Sequence, residues 1–144
     1  MAKKTTAEIR LQIVSNEREK FYLEDLEEFD LKNLGQDDIE FTVEIGIATN
    51  LESEHLKVYV EIDVTEKNSK KALFGIKSGT VFYSPDYNKL VDKNEKIVAP
   101  EDFLRKLMNI SIGGTRGMLA ILLTNSGLSH LTLPLLDLGS LEKK

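Results

Sequence analysis

The sequence predicts an α+β fold in which an antiparallel sheet precedes a long kinked helix and a short C-terminal helix. Residues 39–83 alternate between apolar and polar side chains with period two, as strands with one buried face do. From Glu101 onwards, apolar residues recur at helical spacing, and a leucine-rich tail, LSHLTLPLLDLGSL, follows. The 144 residues have the length of a single domain, assigned to 1–144 with an ordered core at about 8–141.

The first strand is predicted near the N-terminus. Within 9–13, apolar residues occupy the odd-numbered positions. After the polar stretch SNEREK, apolar residues occupy the odd-numbered positions again within 21–23. Two interpretations fit this pattern: one long strand whose middle is exposed to solvent, or two short strands joined at a bulge. Residues 24–37 lack clean alternation and form either a long connection lying on apolar surface or a short amphipathic helix.

Three further strands are predicted to follow one another closely. Apolar residues alternate within 39–47, again within 56–64, and again within 73–83. The intervening segments, 50–53 and 67–70, are polar and short. Strands joined by such short turns pair antiparallel, so this part of the chain is predicted to be a meander.

The C-terminal third is predicted to be helical. Residues 84–99 are rich in Pro, Asp, Asn and Lys and are interpreted as a surface loop. Pro100, followed by two acidic residues, indicates a helix start. The glycine pair at 113–114 is expected to kink this helix or to end its first segment, and Asn-Ser-Gly at 125–127 is expected to close it.

Composition excludes several classes of function. A net charge of -5 and a pI near 5.1 disfavour nucleic acid and anionic lipid as partners. The longest apolar run, 118–123, is far shorter than the roughly 18 to 20 residues that a membrane span needs, so no membrane insertion is expected. Cysteine is absent, and the N-terminus lacks the apolar stretch of a signal peptide. We therefore expect a cytoplasmic protein.

No motif in the chain indicates catalysis, a cofactor or a metal. His55 and His130 are the only imidazoles and have no second nitrogen ligand at a suitable spacing. The acidic residues of the second and third strands fall on the parity that faces solvent. The sequence has an excess of apolar residues and no set of residues suited to catalysis, which favours a binding function over an enzymatic one. We therefore expect no catalytic residues, no metal and no cofactor.

The order of elements and several short sequences resemble the SecB family of export chaperones. The closest likeness lies in EIRLQI near the start, LFGIKSGTVFY in the fourth strand, and TRG, NSG and LTLPLLDLGSL towards the end. The resemblance implies an α+β protomer with a four-stranded antiparallel sheet and two helices, assembled as a dimer of dimers. It also implies an ATP-independent holdase that binds unfolded polypeptide clients, with a role in protein export.

In the export members of that family, acidic residues of the sheet contact the SecA ATPase. By position, Glu24 matches one of those acidic contacts and Leu73 matches an apolar one. Two other positions depart, because Lys20 and Gly75 stand where the export members have acids. The departures reverse or remove charge on which the ATPase docks.

The resemblance also suggests which residues bind clients and which build the oligomer. Client contact is expected in the fourth strand and in the long connection, at Phe74, Ile76, Leu26, Phe29 and Leu31. The leucines of the tail are expected to form the interface between subunits, at Leu131, Leu133, Leu135 and Leu136. Alternatively, apolar residues of both groups simply fill the core and the interfaces.

Two other functions remain open at this stage. One is a dedicated SecB-like chaperone that serves a single partner, such as an antitoxin. The other is an oligomeric scaffold that binds no client, in which the apolar tail serves only self-association.

Overall fold

A computed structural model describes residues 10–24, 34–124, 126–128 and 130–131 of the chain. One strand comes first in the chain, and three closely spaced strands, a short helix and a long helix follow it. They are β1 (Gln12–Leu23), β2 (Ile39–Asn50), β3 (His55–Glu66), β4 (Ala72–Tyr83), α1 (Tyr87–Leu90) and α2 (Glu101–Leu122), with a 3-10 turn at Gln36–Asp38 before β2.

The four strands form one antiparallel sheet in the order β1-β4-β3-β2. The meander of β2, β3 and β4 is confirmed, and β1 pairs with β4 on its far side. Strands β1 and β2 are therefore the two edges, and the segment between them leads from one edge of the sheet to the other. The α+β fold, with a four-stranded antiparallel sheet followed by a long helix, is confirmed. The predicted C-terminal helix lies outside the described residues.

Strand β1 combines both interpretations of its sequence. It is one strand, but its register against β4 shifts twice, between Ile13 and Ser15 and between Arg18 and Lys20. Each shift accommodates one extra residue, so the two together restore the original parity. Ile13 and Phe21, opposite Phe82 and Ile76 of β4, therefore lie on the same face.

Helix α2 packs across β1, β4 and β3 and buries the core against them. It begins after Pro100, as predicted, and it continues without interruption through Gly113 and Gly114. The expectation that the glycine pair ends a first segment is therefore wrong. The helix ends at Leu122, and Gly127 lies beyond that end with a φ of 82°.

The segment between β4 and α2 is more than the predicted surface loop. It contains α1, and Val91 bridges Ile97 in an isolated β-bridge. Tyr87, Leu90 and Val91 are buried in the core. The segment packs into the core although most residues around these three are polar, because it closes one end of the core.

A polar seam crosses the interface between α2 and the sheet. The hydroxyls of Ser78 on β4 and Thr115 on α2 are 2.6 Å apart, and both residues are fully buried. Beside them, the hydroxyl of Thr80 donates to Asn16 Oδ1 at 3.1 Å. Buried hydroxyls need such partners, so these contacts fix which part of the helix lies over which part of β4 and β1.

Gly114 leaves room for part of this seam. A Cβ at Gly114 would lie 2.5 Å from Asn16 Nδ2, so an added methyl group would push the amide away from Thr80. Gly113, one residue earlier, has nothing within 4 Å of its Cβ position. The second glycine therefore admits a side chain from β1, which is a different role from the predicted kink.

We predict that Gly114→Ala brings no net stabilisation in the wild-type chain. The gain from helix propensity, about 0.8–1 kcal/mol, is offset by about 1 kcal/mol for the lost bond to the buried Thr80 hydroxyl. In an Asn16→Ala background the same change should stabilise by the full propensity term. Urea unfolding of the four proteins measures the difference, and equal effects of Gly114→Ala in both backgrounds would contradict the role assigned to Asn16.

On the opposite face of the sheet, side chains from β1 and β3 meet over two glycines of β4. The hydroxyl of Tyr22 donates to Asp63 Oδ1 at 2.8 Å above Gly75. Further along, Lys57 Nζ and Glu19 Oε1 are 2.5 Å apart above Gly79. Strands that flank a third strand are roughly 9 to 10 Å apart, so these pairs can form only where the middle strand has no side chain.

We predict that Gly75→Ala destabilises the protein by about 1–3 kcal/mol, the usual cost of overpacking. Its Cβ would overlap the Tyr22 ring and lie 2.6 Å from Asp63 Oδ1. The matched control is Gly46→Ala on β2, where nothing lies within 4 Å and a small gain is expected. Equilibrium unfolding compares the two, and equal stability of both variants would show that the pair above Gly75 is unimportant.

Candidate functional site

The inner face of β2 carries an apolar row that the helix leaves half covered. Helix α2 packs on β1, β4 and β3, whereas β2 lies at the far edge of the sheet. Along β3 the inward side chains are completely buried, but their partners on β2 are only half-buried. This row, called the β2 row below, consists of Phe41, Val43, Ile45 and Ile47.

The backbone of β2 has a neighbouring strand on one side only. Within the residues that the structure describes, it pairs with β3 and with no other strand. The pairing is regular over all twelve residues, without the bulges that interrupt β1. The strand also contains no Lys, Arg or Pro, the residues with which edge strands commonly prevent further pairing. Among the described strands it is therefore a long, regular edge of the sheet.

A second apolar surface lies on the outward face of α2. The side chains of Ile110 and Ile121 are 41% and 76% exposed. Between them on the same face are Gly113 and Gly117, whose Cβ positions have open space around them. This helix face is narrow and flat.

The structure places the two predicted client residues of the fourth strand in the core. Phe74 is 1% exposed and Ile76 is 2% exposed. Both point to the inner face beneath α2, so a client could reach neither in the protomer. The other predicted client residues, Leu26, Phe29 and Leu31, lie outside the described residues.

Of the four leucines predicted at the subunit interface, the structure describes one. Leu131 is 6% exposed and belongs to the hydrophobic core of the protomer itself. Leu133, Leu135 and Leu136 lie outside the described residues. The described part of the tail thus contributes to the fold of a single chain.

The positions matched to the ATPase contact are divided between surface and core. Glu24 is exposed at the end of β1, where its backbone N–H donates to the Leu73 carbonyl at 2.9 Å. Leu73 itself is completely buried. Because β4 has a register irregularity against β3 at this point, the side chain of Leu73 turns inward together with that of Phe74. Lys20 is exposed, and Gly75 lies beneath Tyr22.

Two ionisable groups with shifted pKa values, Tyr22 and Asp86, have structural roles. Burial and the hydrogen bond to Asp63 raise the pKa of Tyr22 to about 12, so its hydroxyl remains a donor at neutral pH. At the end of β4, the backbone N–H and the guanidinium of Arg10 lower the pKa of Asp86, which keeps that carboxylate ionised. Both groups hold chain segments together and neither faces a cavity suited to a substrate.

The described residues contain no group of three or more His, Asp and Glu side chains that could hold a metal ion. The two histidines have structural contacts: His55 packs edge-on against Tyr83, and His130 Nε2 lies 2.7 Å from the Leu34 carbonyl oxygen. In the same part of the chain, no helix has the length and apolar character needed to cross a membrane.

The sequence alone did not single out the β2 row or the strand edge beside it. The alternation within 39–47 indicated a strand but not which strands a single helix would leave uncovered. A signal was nevertheless present, because this strand lacks the basic residues and prolines expected of an edge.

Comparison with known proteins finds similarity to solved structures. No protein-family model and no curated protein matches the chain. Among solved structures, a SecB-like chaperone from Mycobacterium tuberculosis, in complex with a peptide from an antitoxin, is similar over 90% of this chain and 87% of that one. The sequence identity is 12% and the TM-score is 0.48. The order of strands and long helix predicted from the resemblance to the SecB family is the order that the chain has.

Proposed function

We propose that this protein is an ATP-independent chaperone that holds non-native polypeptides by covering their apolar segments. The observation that supports the proposal most directly is the β2 row. It is an apolar strip, about as long as a strand, that is continuous with the core and only half covered. The described residues contain no cluster of side chains that could hold a metal ion.

The energetics of such a strip suit reversible binding. Fully burying an aliphatic side chain is worth roughly 1.5–3 kcal/mol, so completing the burial of four half-buried side chains gains several kcal/mol at most. Part of that gain is lost in ordering the client. The resulting affinity is moderate, and a client can leave by competition without any nucleotide.

The proposal does not include transfer of clients to a SecA-type ATPase. Leu73 is buried, Gly75 is covered by Tyr22, and Lys20 carries the charge opposite to that of the export members. Both a broad range of clients and a single dedicated partner, such as an antitoxin, are consistent with the β2 row. The number of proteins captured in a pull-down distinguishes the two.

We predict that the protein suppresses aggregation of a chemically denatured model protein at near-stoichiometric ratios. Ile45→Gln should weaken this suppression about fivefold, because a half-buried isoleucine contributes about 1 kcal/mol to contact with the client. Light scattering against chaperone concentration measures the effect.

The matched control is Ala48→Gln, which lies on the exposed outer row of the same strand. This variant should suppress aggregation as well as the wild type does. If the wild type leaves scattering unchanged, the chaperone function is wrong. If both variants weaken suppression equally, clients bind elsewhere than at the β2 row.

The exposed helix face favours a second candidate function, that of an oligomeric scaffold. Ile121 at 76% exposure and Ile110 at 41% are unusual on a helix that otherwise buries its apolar side. Helices with such flat apolar faces commonly pack against one another. A homo-oligomer is compatible with either function, whereas in a scaffold self-association would be the only role of this face.

We predict that Ile121→Lys lowers the solution mass of an oligomer that is held together through the helix face. Leu51→Lys, a turn residue that is 52% exposed, is the matched control and should leave the mass unchanged. Mass measurement by light scattering, with and without a denatured client, separates the candidates. Added client mass supports the chaperone, whereas an oligomer that ignores the client supports the scaffold. A monomeric wild type contradicts the scaffold.

A further inference from the structure

We propose that a cleft at one end of the sheet binds a small organic cation, a guanidinium or ammonium group on a short apolar stem. The cleft, called the end cleft below, lies between residues 49–54, where β2 turns into β3, and residues 87–95, which include α1. The inference goes beyond the proposed function and does not depend on it. Three features support it: the size of the cleft, the carboxylates around it, and a buried hydroxyl without a partner.

The end cleft has the dimensions of a small-molecule site. It consists of two adjoining hollows of about 490 and 660 Å³, which share Leu51, Glu52 and Lys93 in their walls. Sites for small molecules commonly measure about 300–1,000 Å³. Either hollow could therefore hold a short chain that ends in a polar group.

The charge around the end cleft favours a cation. Its described lining carries four carboxylates and one ammonium group, those of Glu52, Glu54, Asp92, Glu95 and Lys93. Asp92 Oδ1 accepts from two backbone N–H groups of its own loop, at 2.8 and 2.9 Å, and so fixes that wall. The three glutamates are exposed, and no ion pair recorded among the described residues includes them. Their carboxylates therefore remain available to a ligand.

The spread of these acids suits an organic cation better than a metal ion. A hard metal ion needs several oxygens within roughly 2.0–2.6 Å of one point, and the described residues contain no group of side chains placed in that way. A guanidinium is wider, and its several N–H donors can reach carboxylates that lie apart. Leu51, which is 52% exposed, and the buried Val91 offer apolar contact for a stem.

A buried hydroxyl is the second, independent observation that points to a ligand. Tyr87 lines the end cleft and is 2% exposed, and its hydroxyl has no partner of hydrogen-bond geometry among the described residues. Burial and the carboxylates of Glu95 and Glu54 raise the pKa of Tyr87. The side chain of Thr49 and the backbone of Asn50 lie close enough to lower it in part. The hydroxyl thus lies between the two walls, where an N–H of a bound cation would give it the partner that buried polar groups normally have.

The backbone at two of the acids is consistent with a role for their side chains. Glu54 and Glu95 have φ angles of 57° and 60°, in the left-handed region that favours glycine or asparagine. Each wall of the end cleft thus carries a carboxylate at a position where glycine would be less strained. In the same wall as Glu54, the hydroxyl of Ser53 is also buried without a partner. Strain and unpaired polar groups of this kind accumulate at binding sites.

The test uses the full-length protein and two probes of nearly the same shape, the cation butylguanidinium and the neutral butylurea. The methyl NMR signals of Leu51 and Val91 report occupancy of the end cleft during titration. Butylguanidinium should bind roughly tenfold more tightly than butylurea, because only the cation forms charge-assisted hydrogen bonds with carboxylates. Equal binding of the two probes, or shifts that leave out both methyl signals, would overturn the proposal.

Removal of one carboxylate tests the charge of the site. Glu54→Gln should weaken binding of butylguanidinium about three- to tenfold, since it removes a charged acceptor from one wall. The matched control is Glu44→Gln, an exposed residue of β2 away from the end cleft, with the same change in net charge. This control should bind as the wild type does. If both variants weaken binding equally, the cation responds only to the overall charge of the protein and the site does not exist.

Tyr87→Phe tests the hydroxyl. The variant should bind butylguanidinium at least roughly threefold more weakly, because one acceptor for the cation is lost. Its midpoint of unfolding in urea should not fall below that of the wild type, since an unpaired buried hydroxyl contributes nothing to stability. Unchanged binding would overturn the role of the hydroxyl, whatever the midpoint.

A capped peptide with one arginine between glycines distinguishes two sources of the cation. Tighter binding of this peptide than of butylguanidinium would assign the end cleft to an arginine side chain of a polypeptide. Weaker binding of the peptide would assign it to a free small molecule. Either result supports cation binding, whereas a lack of binding by both probes contradicts it.

Discussion

One helix cannot cover four strands, and the rest of this structure depends on that constraint. A helix with its side chains is about 10–12 Å across, whereas four strands at roughly 4.8 Å spacing form a wider sheet. Helix α2 lies over β1, β4 and β3, so the deepest burial falls on the two central strands. The fourth strand, β2, keeps an apolar inner face that is only half-buried. In this protein, the exposed apolar surface is a consequence of the architecture.

The position of α2 is fixed by polar contacts as well as by apolar packing. Apolar contacts alone would let a helix slide along a sheet, because burial is proportional to area and has no direction. The hydroxyl pair of Ser78 on β4 and Thr115 on α2 has a definite geometry that a neighbouring register of the helix would break, and Asn16, bonded to Thr80, lies against Gly114 of the helix. On the other face, the pairs above Gly75 and Gly79 connect β1 to β3 across β4. Edge strand β1 is therefore held to the sheet from both faces, whereas β2, among the described strands, pairs with β3 alone.

Period-two alternation predicted β2, β3 and β4 because each strand has one buried face, and Pro100 predicted the start of α2 because proline suits that position. The sequence could not show that Phe74 and Ile76 lie beneath the helix, since the pattern marks a buried face without identifying what covers it. It also could not assign Gly114, whose partner Asn16 is nearly a hundred positions away in the chain. The burial of Leu73 depends on a register irregularity that no local pattern encodes. Long-range contacts thus decided which predicted site residues remain accessible.

The two edge strands of the sheet differ, and this difference connects the fold with the proposed function. Edge strand β1 carries two register shifts and Arg18 and Lys20 along its length, features that discourage pairing with another chain. Edge strand β2 has neither, although a long, regular and apolar edge promotes aggregation in most soluble proteins. Its only charged residues are Glu40, which forms an ion pair with Lys70, and Glu44. This contrast supports the proposed chaperone function, because β2 and not β1 combines a regular backbone edge with a half-buried apolar row on its inner face.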